Sequence, residues 1–343
     1  MNLGNKKSNL LILLAVFIVG GCGNFSGNYE EIESSTSSES TTTTTSSDST
    51  ASFVAVGGDG TILTSLDLTT WTSRTSGTSN SLNGITFGKY SYVAVGDNGT
   101  TLTSPDGITW TSRPSGTSNS LSEVTSTKGL GAHYNSTFVA VGDNGTILAS
   151  PDGTTWASRT SGTSNSLNGV TYVNSCQCLY PKFVAVGNNG TILTTHDGTT
   201  WDSRTSGTSN SLNGVTYGNN TYVAVGDNGT ILTSPDRMNW TSRTSGISNS
   251  LSEITYGDSV FMTVGAYGQI LTSFDGITWV RRTSGTSTGL SGITFANDHP
   301  PYSNSSFVAV GLGGTILTSL AQSYVVERTS GTTKNLQGVA YKE

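Results

Sequence analysis

The chain has 343 residues, of which 11% are charged and 43 are glycine. Its 16 basic and 22 acidic residues give a net charge of −6, so the sequence has no basic excess with which to neutralise phosphates, and we expect no nucleic-acid partner. Few charges and abundant glycine are typical of many short strands joined by tight turns.

Residues 1–21 have the features of an export signal. Two lysines precede an apolar run from Leu10 to Val19, which is too short to span a bilayer. The run continues as VGGC, ending at Cys22, and this tetrapeptide resembles the lipobox of bacterial lipoproteins. The resemblance implies cleavage before Cys22 and lipidation of that residue. An ordinary secretory signal that ends near a cysteine is the alternative.

The segment 22–52 combines the lipidated cysteine with a tract of serine, threonine and glutamate that has almost no apolar residues. Such a composition buries too little surface to offset its chain entropy, so the sequence predicts a disordered tether. The expected location is extracytoplasmic, at a bacterial outer membrane or cell surface, with the membrane contacted through the N-terminal lipid.

From Phe53 onward one unit of roughly 40 residues recurs seven times, which is the period of an array or a propeller. The copy at 212–246 contains four strand signals: LNGVTYG, TYVAVG, TILTS and a segment led by Trp240. Between the second and third strands, Asp227-Asn228-Gly229 has the residues of a type I′ hairpin turn. Each unit is therefore predicted to be a four-stranded antiparallel meander.

The two ends of the repeat region complement each other. The region begins at Phe53 with the second strand of a unit and finishes at 336–341 with the first strand of a unit. The C-terminal strand can therefore complete the N-terminal unit and close a ring. We predict an all-β fold over residues 53–343: a monomeric seven-bladed β-propeller with four-stranded antiparallel blades and a 1+3 clasp.

The turn between the third and fourth strands carries a family resemblance. The heptapeptides SPDGITW (104–110), SPDGTTW (150–156) and SFDGITW (273–279) resemble the Asp-box, or BNR repeat, although the usual box has one more residue between its aspartate and glycine. With AVGDNGTIL before each box, residues 53–341 resemble the photosystem II stability/assembly-factor type of propeller. The resemblance implies that the box aspartates are structural and that the protein helps another protein to assemble. These aspartates are Asp67, Asp106, Asp152, Asp197, Asp236 and Asp275.

No catalytic constellation emerges from the repeat. Each unit has one arginine at the same place, and a residue that recurs with sevenfold symmetry does not converge on one substrate as a catalytic set does. We interpret these arginines as structural, each packing on the tryptophan of a neighbouring blade. No enzyme activity, cofactor or metal site is predicted.

Two carboxylates break the repeat in the first strand. The usual Asn-Gly becomes Ser-Glu at Glu123 and at Glu253, which places one carboxylate in each of two separated blades near the central channel. A channel cation site and an acid/base pair are possible interpretations. The simpler interpretation is that both are solvated channel carboxylates, too far apart for a glycosidase pair.

Three units are lengthened between their first and second strands, and equivalent hairpins of a propeller lie on one face. We therefore consider this face as the partner surface, with neutral variation in loop length as the alternative. Cys176 and Cys178 could form a strained or an intermolecular disulfide or remain free thiols, and no histidine lies near them in sequence to complete a zinc site. The candidate residues in these insertions are His133, Tyr134, Cys176, Cys178, Tyr180, His299 and Tyr302.

The sequence thus indicates a lipid-anchored extracytoplasmic propeller that acts as a non-catalytic protein-binding or assembly scaffold. The alternative is a glycan-binding or glycan-hydrolysing propeller of sialidase-like descent. On the opposite face, the repeated SGTSNS and GDNG segments form a ring of hydroxyls and amides that could bind a surface glycan, or that are simply turn residues copied by duplication.

Overall fold

The computed structural model describes residues 51–127, 138–173, 182–297, 306–320 and 324–342. The strands, in chain order, are β1 (Phe53–Gly57), β2 (Ile62–Ser65), β3 (Thr72–Arg74), β4 (Leu82–Gly88), β5 (Ser91–Gly96), β6 (Thr101–Ser104), β7 (Thr111–Arg113), β8 (Leu121–Ser126), β9 (Phe138–Gly142), β10 (Ile147–Ser150), β11 (Ala157–Arg159), β12 (Leu167–Val173), β13 (Lys182–Gly187), β14 (Thr191–Thr195), β15 (Asp202–Arg204), β16 (Leu212–Gly218), β17 (Thr221–Gly226), β18 (Ile231–Ser234), β19 (Thr241–Arg243), β20 (Leu251–Gly257), β21 (Val260–Gly265), β22 (Gln269–Ser273), β23 (Val280–Arg282), β24 (Leu290–Ala296), β25 (Ser306–Gly311), β26 (Ile316–Leu320), β27 (Tyr324–Arg328) and β28 (Leu336–Tyr341). No helix among these residues is long and apolar enough to cross a membrane.

The strands form seven four-stranded antiparallel sheets, which we number as blades 1 to 7. Blades 2 to 7 are meanders of consecutive strands, from β4–β7 through to β24–β27, as the repeat predicts. Blade 1 has the order β28-β1-β2-β3, in which Val54 pairs with Ala340 and Val56 pairs with Gly338. The C-terminal strand therefore completes the N-terminal blade, and both the seven-bladed fold and its 1+3 clasp are confirmed.

The core consists of seven apolar clusters, each between two adjacent blades. The alternating side chains of each VAVG strand explain this arrangement, because successive residues point to opposite faces of the blade. In blade 5, Val223 and Val225 pack against blade 6, whereas Tyr222 and Ala224 pack against blade 4. Burial of each such valine contributes about 1.5–3 kcal/mol, so every blade is stabilised chiefly by its neighbours.

The second and third strands of each blade are joined by the predicted type I′ turn. In blade 5, Asn228 has φ 56° and ψ 32° and Gly229 has φ 65°, while the Thr230 N–H donates to the Asp227 carbonyl at 3.1 Å. Both central residues are left-handed, which asparagine and glycine tolerate well. The seven turns are Gly58–Gly60, Asp97–Gly99, Asp143–Gly145, Asn188–Gly190, Asp227–Gly229, Ala266–Gly268 and Leu312–Gly314.

The ring has two distinct faces. We call one the box face, because it presents the hairpins between first and second strands together with the Asp-box turns between third and fourth strands. Contacts between blades join these two kinds of loop: Lys89 Nζ donates to the Pro151 carbonyl at 2.9 Å, and Asn219 Nδ2 donates to the Phe274 carbonyl at 3.3 Å. The opposite side, which we call the turn face, carries the type I′ turns and the links from one blade to the next.

The repeated arginines have a structural role that differs from the one expected. Six of them donate from Nε to the Oγ1 of a threonine in the third strand of the same blade, at 2.8–2.9 Å. The cation–π contact found among the described residues joins Lys342 to Phe87 rather than an arginine to a tryptophan. The expectation that each arginine packs on a neighbouring indole is therefore replaced by a hydrogen bond within the blade.

Candidate functional site

A β-bulge in the first strand of every blade shapes the central channel. In blade 5, Leu212 pairs with Gly226 and Gly214 pairs with Val225, so Asn213 is the extra residue and its side chain leaves the plane of the ladder. The seven bulged residues all line one central cavity of about 550 Å³. They are Asn83, Ser122, Asn168, Asn213, Ser252, Ser291 and Gln337.

Asparagine at the bulge joins one blade to the next. Asn213 Nδ2 donates both to Asp227 Oδ1 of its own blade, at 3.1 Å, and to the Leu251 carbonyl of blade 6, at 2.8 Å. Asn83 and Asn168 make the same pair of hydrogen bonds. Each of these asparagines therefore has one hydrogen-bond partner in its own blade and one in the next blade. The serines and the two glutamates are the less constrained groups of the channel.

Glu123 and Glu253 both line this cavity and are partly buried. Each accepts a hydrogen bond at Oε1 from the backbone N–H of the next residue, Val124 or Ile254, at 2.9 Å. The Glu253 carboxylate folds over Gly214, since a Cβ on that glycine would lie 2.7 Å from Glu253 Oε1. Only a residue without a side chain leaves room for this carboxylate.

The two carboxyl groups influence each other across the channel. Burial raises the pKa of Glu253 to about 8, and the backbone hydrogen bond only partly opposes this shift. Burial, followed by the charge of Glu253, raises the pKa of Glu123 well above its usual range. At neutral pH at least one proton is therefore held in the channel, and a protonated carboxyl group there can donate a hydrogen bond or a proton.

An aromatic collar surrounds the box-face end of the inner strands. Each member packs at a tilt against an aromatic residue of the second strand in its own blade, for example Tyr256 against Phe261 with ring centres 4.7 Å apart. Two members also cover a glycine of the preceding blade: Tyr256 covers Gly218, and Phe295 covers Gly257. The six members are Phe87, Tyr172, Tyr217, Tyr256, Phe295 and Tyr341.

Blade 3 interrupts the collar. Ser126 stands where the other blades have an aromatic ring, and its Oγ donates to the Phe87 carbonyl at 3.0 Å. Among the described residues, blade 3 therefore contributes no ring to the collar, at the point where its sequence departs from the repeat after Thr127. The sequence contains a signal of this collar, because six of the seven LNGVTYG-type segments have an aromatic residue at this position and blade 3 has serine.

Exposed apolar side chains are concentrated on the box face. Tyr90 is 87% exposed at the hairpin of blade 2, and Phe274 is 64% exposed in the box turn of blade 6. Leu66, Met238 and Ile277 are also exposed in box turns, with exposures of 46–50%. Single exposed apolar residues are common on protein surfaces, so the notable feature of this set is its placement, with all five residues on the box face.

The box aspartates hold the turns that present these side chains. Asp106 Oδ1 accepts hydrogen bonds from the Ile108 and Thr109 N–H groups, both at 2.8 Å, and from Ser104 Oγ at 2.9 Å. Trp110 closes the turn by donating from Nε1 to the Gly107 carbonyl at 3.0 Å. The same Asp-centred bonds recur at Asp67, Asp152, Asp197, Asp236 and Asp275.

These hydrogen bonds keep the box aspartates ionised. Desolvation acts to raise the pKa of Asp67, but hydrogen bonds from Thr69, Thr70 and Ser65 outweigh it and lower that pKa to about 2. The other five have lowered pKa values: desolvation is again outweighed at Asp106 and Asp152, while hydrogen bonds are the largest influence at Asp197, Asp236 and Asp275. Each aspartate is therefore engaged inside its own turn, as a structural role requires.

Several predicted residues lie outside the described part of the chain. The strands that flank the three insertions end on the box face, at 126/138, 173/182 and 296/306. The residues outside the described ranges are Cys22, His133, Tyr134, Cys176, Cys178, Tyr180, His299 and Tyr302. Within the described ranges, no group of three or more histidine, cysteine, aspartate or glutamate residues is arranged to hold a metal ion.

The fold is similar to that of solved propellers. It resembles YCF48 bound to D1 peptide, with a TM-score of 0.60 and 19% identity over 80% of this chain and 93% of that chain. It also resembles Sqt1 of Saccharomyces cerevisiae, with a TM-score of 0.59 and 14% identity over 84% of each chain, and YCF48 from Cyanidioschyzon merolae, with a TM-score of 0.54 and 18% identity over 74% of this chain and 86% of that chain.

At these low identities the similarities establish the propeller fold and leave function to the site itself. No family model matches the sequence, and no curated protein matches it.

Proposed function

We propose that this chain is a lipid-anchored, extracytoplasmic and non-catalytic propeller that binds another protein on its box face and acts as a binding or assembly scaffold. The observation that carries the proposal is the set of exposed apolar side chains on that face, around the aromatic collar. Tyr90 and Phe274 are the most exposed members. Aromatic side chains of this kind are the usual anchors of protein interfaces.

The scaffold beneath these side chains favours binding without reorganisation. Phe274 belongs to a box turn whose backbone is fixed by Asp275, which accepts hydrogen bonds from Ile277 and Thr278 at 2.8 Å. Its backbone carbonyl also accepts the hydrogen bond from Asn219 of blade 5. A partner that buries Phe274 therefore meets a preformed surface, and little conformational entropy is lost on association.

The structural comparison offers separate support. One protein of similar fold is YCF48 in a complex with D1 peptide, and this shows that a propeller of this general shape can hold a peptide. For the present chain we propose a protein ligand of the same broad kind, without assigning its identity. The three lengthened hairpins belong to the proposed surface because their flanking strands end on the box face.

Site-specific crosslinking would test the proposal. A photoreactive amino acid is placed at Phe274, at Tyr90 and, as a control, at Tyr267 of the turn face, which is 70% exposed. In cells that express the full chain, we expect one discrete protein adduct from the two box-face positions and none of that size from position 267. The variant Phe274→Pro, which restores the residue found in blades 2, 3 and 5, should weaken the adduct formed from position 90.

The opposite pattern would contradict the proposal. If the same adduct forms from Tyr267, or if Phe274→Pro together with Tyr90→Asn leaves its yield unchanged, the box face is not the binding surface. The anchoring part is tested separately with Cys22→Ala, which should abolish metabolic labelling by a fatty acid and release the protein from membranes. Unchanged membrane association of that variant would contradict the lipid anchor.

One observation favours a second candidate, a glycan-hydrolysing propeller. Glu253 has a pKa raised by burial to about 8 and lies with Glu123 in the channel cavity, and a carboxyl group that stays protonated at neutral pH can serve as a general acid. The test is turnover of a panel of fluorogenic glycosides by the wild-type chain and by Glu253→Gln. Turnover that the substitution abolishes would establish this candidate, and no turnover of any glycoside would leave the scaffold as the better account.

A further inference from the structure

A groove on the turn face, between blades 5 and 6, differs from its counterparts around the ring. It has a volume of about 820 Å³, within the range of small-ligand sites. Arg243 of blade 5 and Arg281 of blade 6 line it, and none of the described carboxylates does so. A groove with two guanidinium groups on a chain of net charge −6 is a local reversal of the overall charge. Its remaining lining is mostly hydroxyl and amide groups, among them Ser245, Asn249 and Gln269.

Gln269 places an unpartnered polar atom at this groove. Its side chain is 4% exposed, and its Oε1 makes no hydrogen bond among the described residues. The other six blades have threonine at this position, and in blade 5 the hydroxyl of Thr230 donates to the Asp227 carbonyl at 2.6 Å. A buried acceptor without a hydrogen bond is destabilising. Gln269 replaces a threonine whose hydroxyl is hydrogen-bonded within its own turn, and it leaves a buried amide oxygen without a partner, so this substitution requires an explanation.

The exchange also removes a link between adjacent blades. In four blades an asparagine of the preceding link donates from Nδ2 to this threonine at 2.8 Å, as Asn210 does to Thr230. Asn249 is the matching residue before blade 6, and with Gln269 in the threonine's place it makes no equivalent bond within the described structure. Two amide side chains are thereby left available at the same groove.

Blade 6 carries two more substitutions, of which Arg281 lines the groove. Arg281 stands where five blades have serine, on the face of β23 that points away from the Thr272-bound Arg282. Tyr267 takes the place of asparagine in the type I′ turn, where it keeps a left-handed φ of 56° and is 70% exposed. An aromatic residue in this conformation is strained relative to asparagine, and strain that is retained commonly marks a functional position.

From this geometry we infer that the groove between blades 5 and 6 binds an acidic saccharide. Arg243 and Arg281 match a sugar carboxylate, since guanidinium groups pair with carboxylates through charge-assisted hydrogen bonds. The amide group of Gln269, which lines the groove, offers a polar partner to a sugar hydroxyl, and the neighbouring hydroxyl and amide groups match the rest of the polyol.

This site is independent of the proposed box-face interaction, because it lies on the opposite side of the ring. The repeated blades suggest variants that are expected to fold, because Gln269→Thr and Arg281→Ser each restore the residue found in other blades. Lys89→Ser removes one positive charge from the box face and serves as the charge-matched control. Unfolding midpoints of all three variants show whether the fold is intact.

The experiment is calorimetric titration of the full-length chain with an oligogalacturonate, with its methyl ester and with oligo-glutamate. We expect the oligogalacturonate to bind, and the uncharged ester and the acidic peptide to bind about tenfold more weakly or worse. Gln269→Thr and Arg281→Ser should each weaken oligogalacturonate binding by about tenfold, and Lys89→Ser should leave it unchanged. The equivalent positions in blade 4 are Thr191 and Ser203. The double substitution Thr191→Gln with Ser203→Arg should create a second site between blades 3 and 4 and so raise the number of oligogalacturonate molecules bound per chain.

Several results would overturn the inference. Absence of oligogalacturonate binding would do so directly, as would equal binding of the methyl ester, which would mean that the arginines do not recognise the carboxylate. Equal binding of oligo-glutamate would identify an acidic-peptide surface instead of a saccharide site. Equal weakening by Lys89→Ser would show a non-specific charge effect. The two proposals are tested separately, because Phe274→Pro should weaken the box-face crosslink whereas Arg281→Ser should leave it unchanged.

Discussion

Arg159 and Ala149 of blade 3 occupy the positions at which the other six blades have an arginine that is hydrogen-bonded to a threonine. In those blades the Nε to Oγ1 distance is 2.8–2.9 Å, as between Arg243 and Thr233. In blade 3 the alanine offers no acceptor, and Arg159 Nε is buried without a partner among the described residues. We predict that Ala149→Thr increases the free energy of unfolding by about 1 kcal/mol, measured by urea denaturation.

The reciprocal substitution provides the control for that experiment. Thr233→Ala removes the acceptor of Arg243 and should lower the free energy of unfolding by about 1–3 kcal/mol, because the guanidinium Nε would then be left buried and unpaired. If Ala149→Thr instead destabilises the protein, the side chains around residue 149 have closed the space that the threonine occupies in the other blades. The hydrogen bond would then not be the feature that distinguishes blade 3.

Acid should weaken the Asp-box turns. The folded pKa of Asp67 is about 2, below its ordinary value of 3.8, so the stabilisation from its ionised form is present above pH 3.8 and is lost as the pH falls towards 2. The variant Asp67→Asn keeps an acceptor oxygen but does not titrate in this window. We expect the stability of the wild type to fall more steeply than that of Asp67→Asn between these pH values.

Urea denaturation at a series of acidic pH values measures this difference. Asp258→Asn removes an exposed carboxylate from the hairpin of blade 6 and controls for the change in net charge. Equal acid sensitivity of Asp67→Asn and the wild type would mean that the hydrogen bonds from Thr69 and Thr70 do not favour the ionised aspartate. The remaining five boxes give the same test in other blades.

The aromatic collar predicts a steric requirement at the preceding blade. A Cβ on Gly257 would lie 2.0 Å from Cγ of Phe295, so Gly257→Ala should lower the free energy of unfolding by about 1–3 kcal/mol through overpacking. In a Phe295→Ala background the same substitution should cost less, because the ring that it meets is gone. A double-mutant cycle with urea denaturation measures this coupling.

Gly58→Ala is the matched control, since a Cβ there would have only the Asn335 carbonyl within reach, at 3.7 Å. We expect it to be close to neutral. Additive effects of Gly257→Ala and Phe295→Ala would show that the ring of one blade does not depend on the glycine of its neighbour.

Much of this architecture could be predicted because it is repeated. The VAVG strands, the Asn-Gly turns and the split N-terminal unit were each visible as patterns, and the structure confirms the seven blades and the clasp that Val54 and Ala340 close. Sequence spacing could not show the bulge at Asn213, because a bulge is a property of the pairing of two strands. It also could not show that six of the seven repeated arginines donate to a threonine ten residues earlier.

The groove between blades 5 and 6 could not be predicted from the sequence for a related reason. Ile247, Gln269 and Arg281 all break the repeat, but they are far apart in the unit, and only the fold shows that all three line one groove. Comparing each position across the seven copies would have identified the substitutions. It would not have shown that Gln269 Oε1 is buried and unpaired, which depends on the surrounding side chains.

The coupling between the channel carboxyl groups gives the last prediction. Because the folded pKa of Glu253 is raised to about 8 from 4.5, the folded protein binds more protons than the unfolded chain between these values, and stability falls as the pH rises through this window. Glu253→Gln removes this group, so the variant should gain stability relative to the wild type as the pH rises.

Removal of the Glu253 charge should also lower the pKa of Glu123, since that charge is one of the two influences that raise it. Urea denaturation between pH 4.5 and 8 tests the first effect, and carboxyl-carbon NMR titration of Glu123 tests the second. Glu327→Gln, on the exposed outer strand of blade 7, removes the same charge and should leave both unchanged. An unaltered Glu123 titration in Glu253→Gln would mean that the two carboxyl groups do not interact across the channel, and would remove the electrostatic basis for treating them as one site.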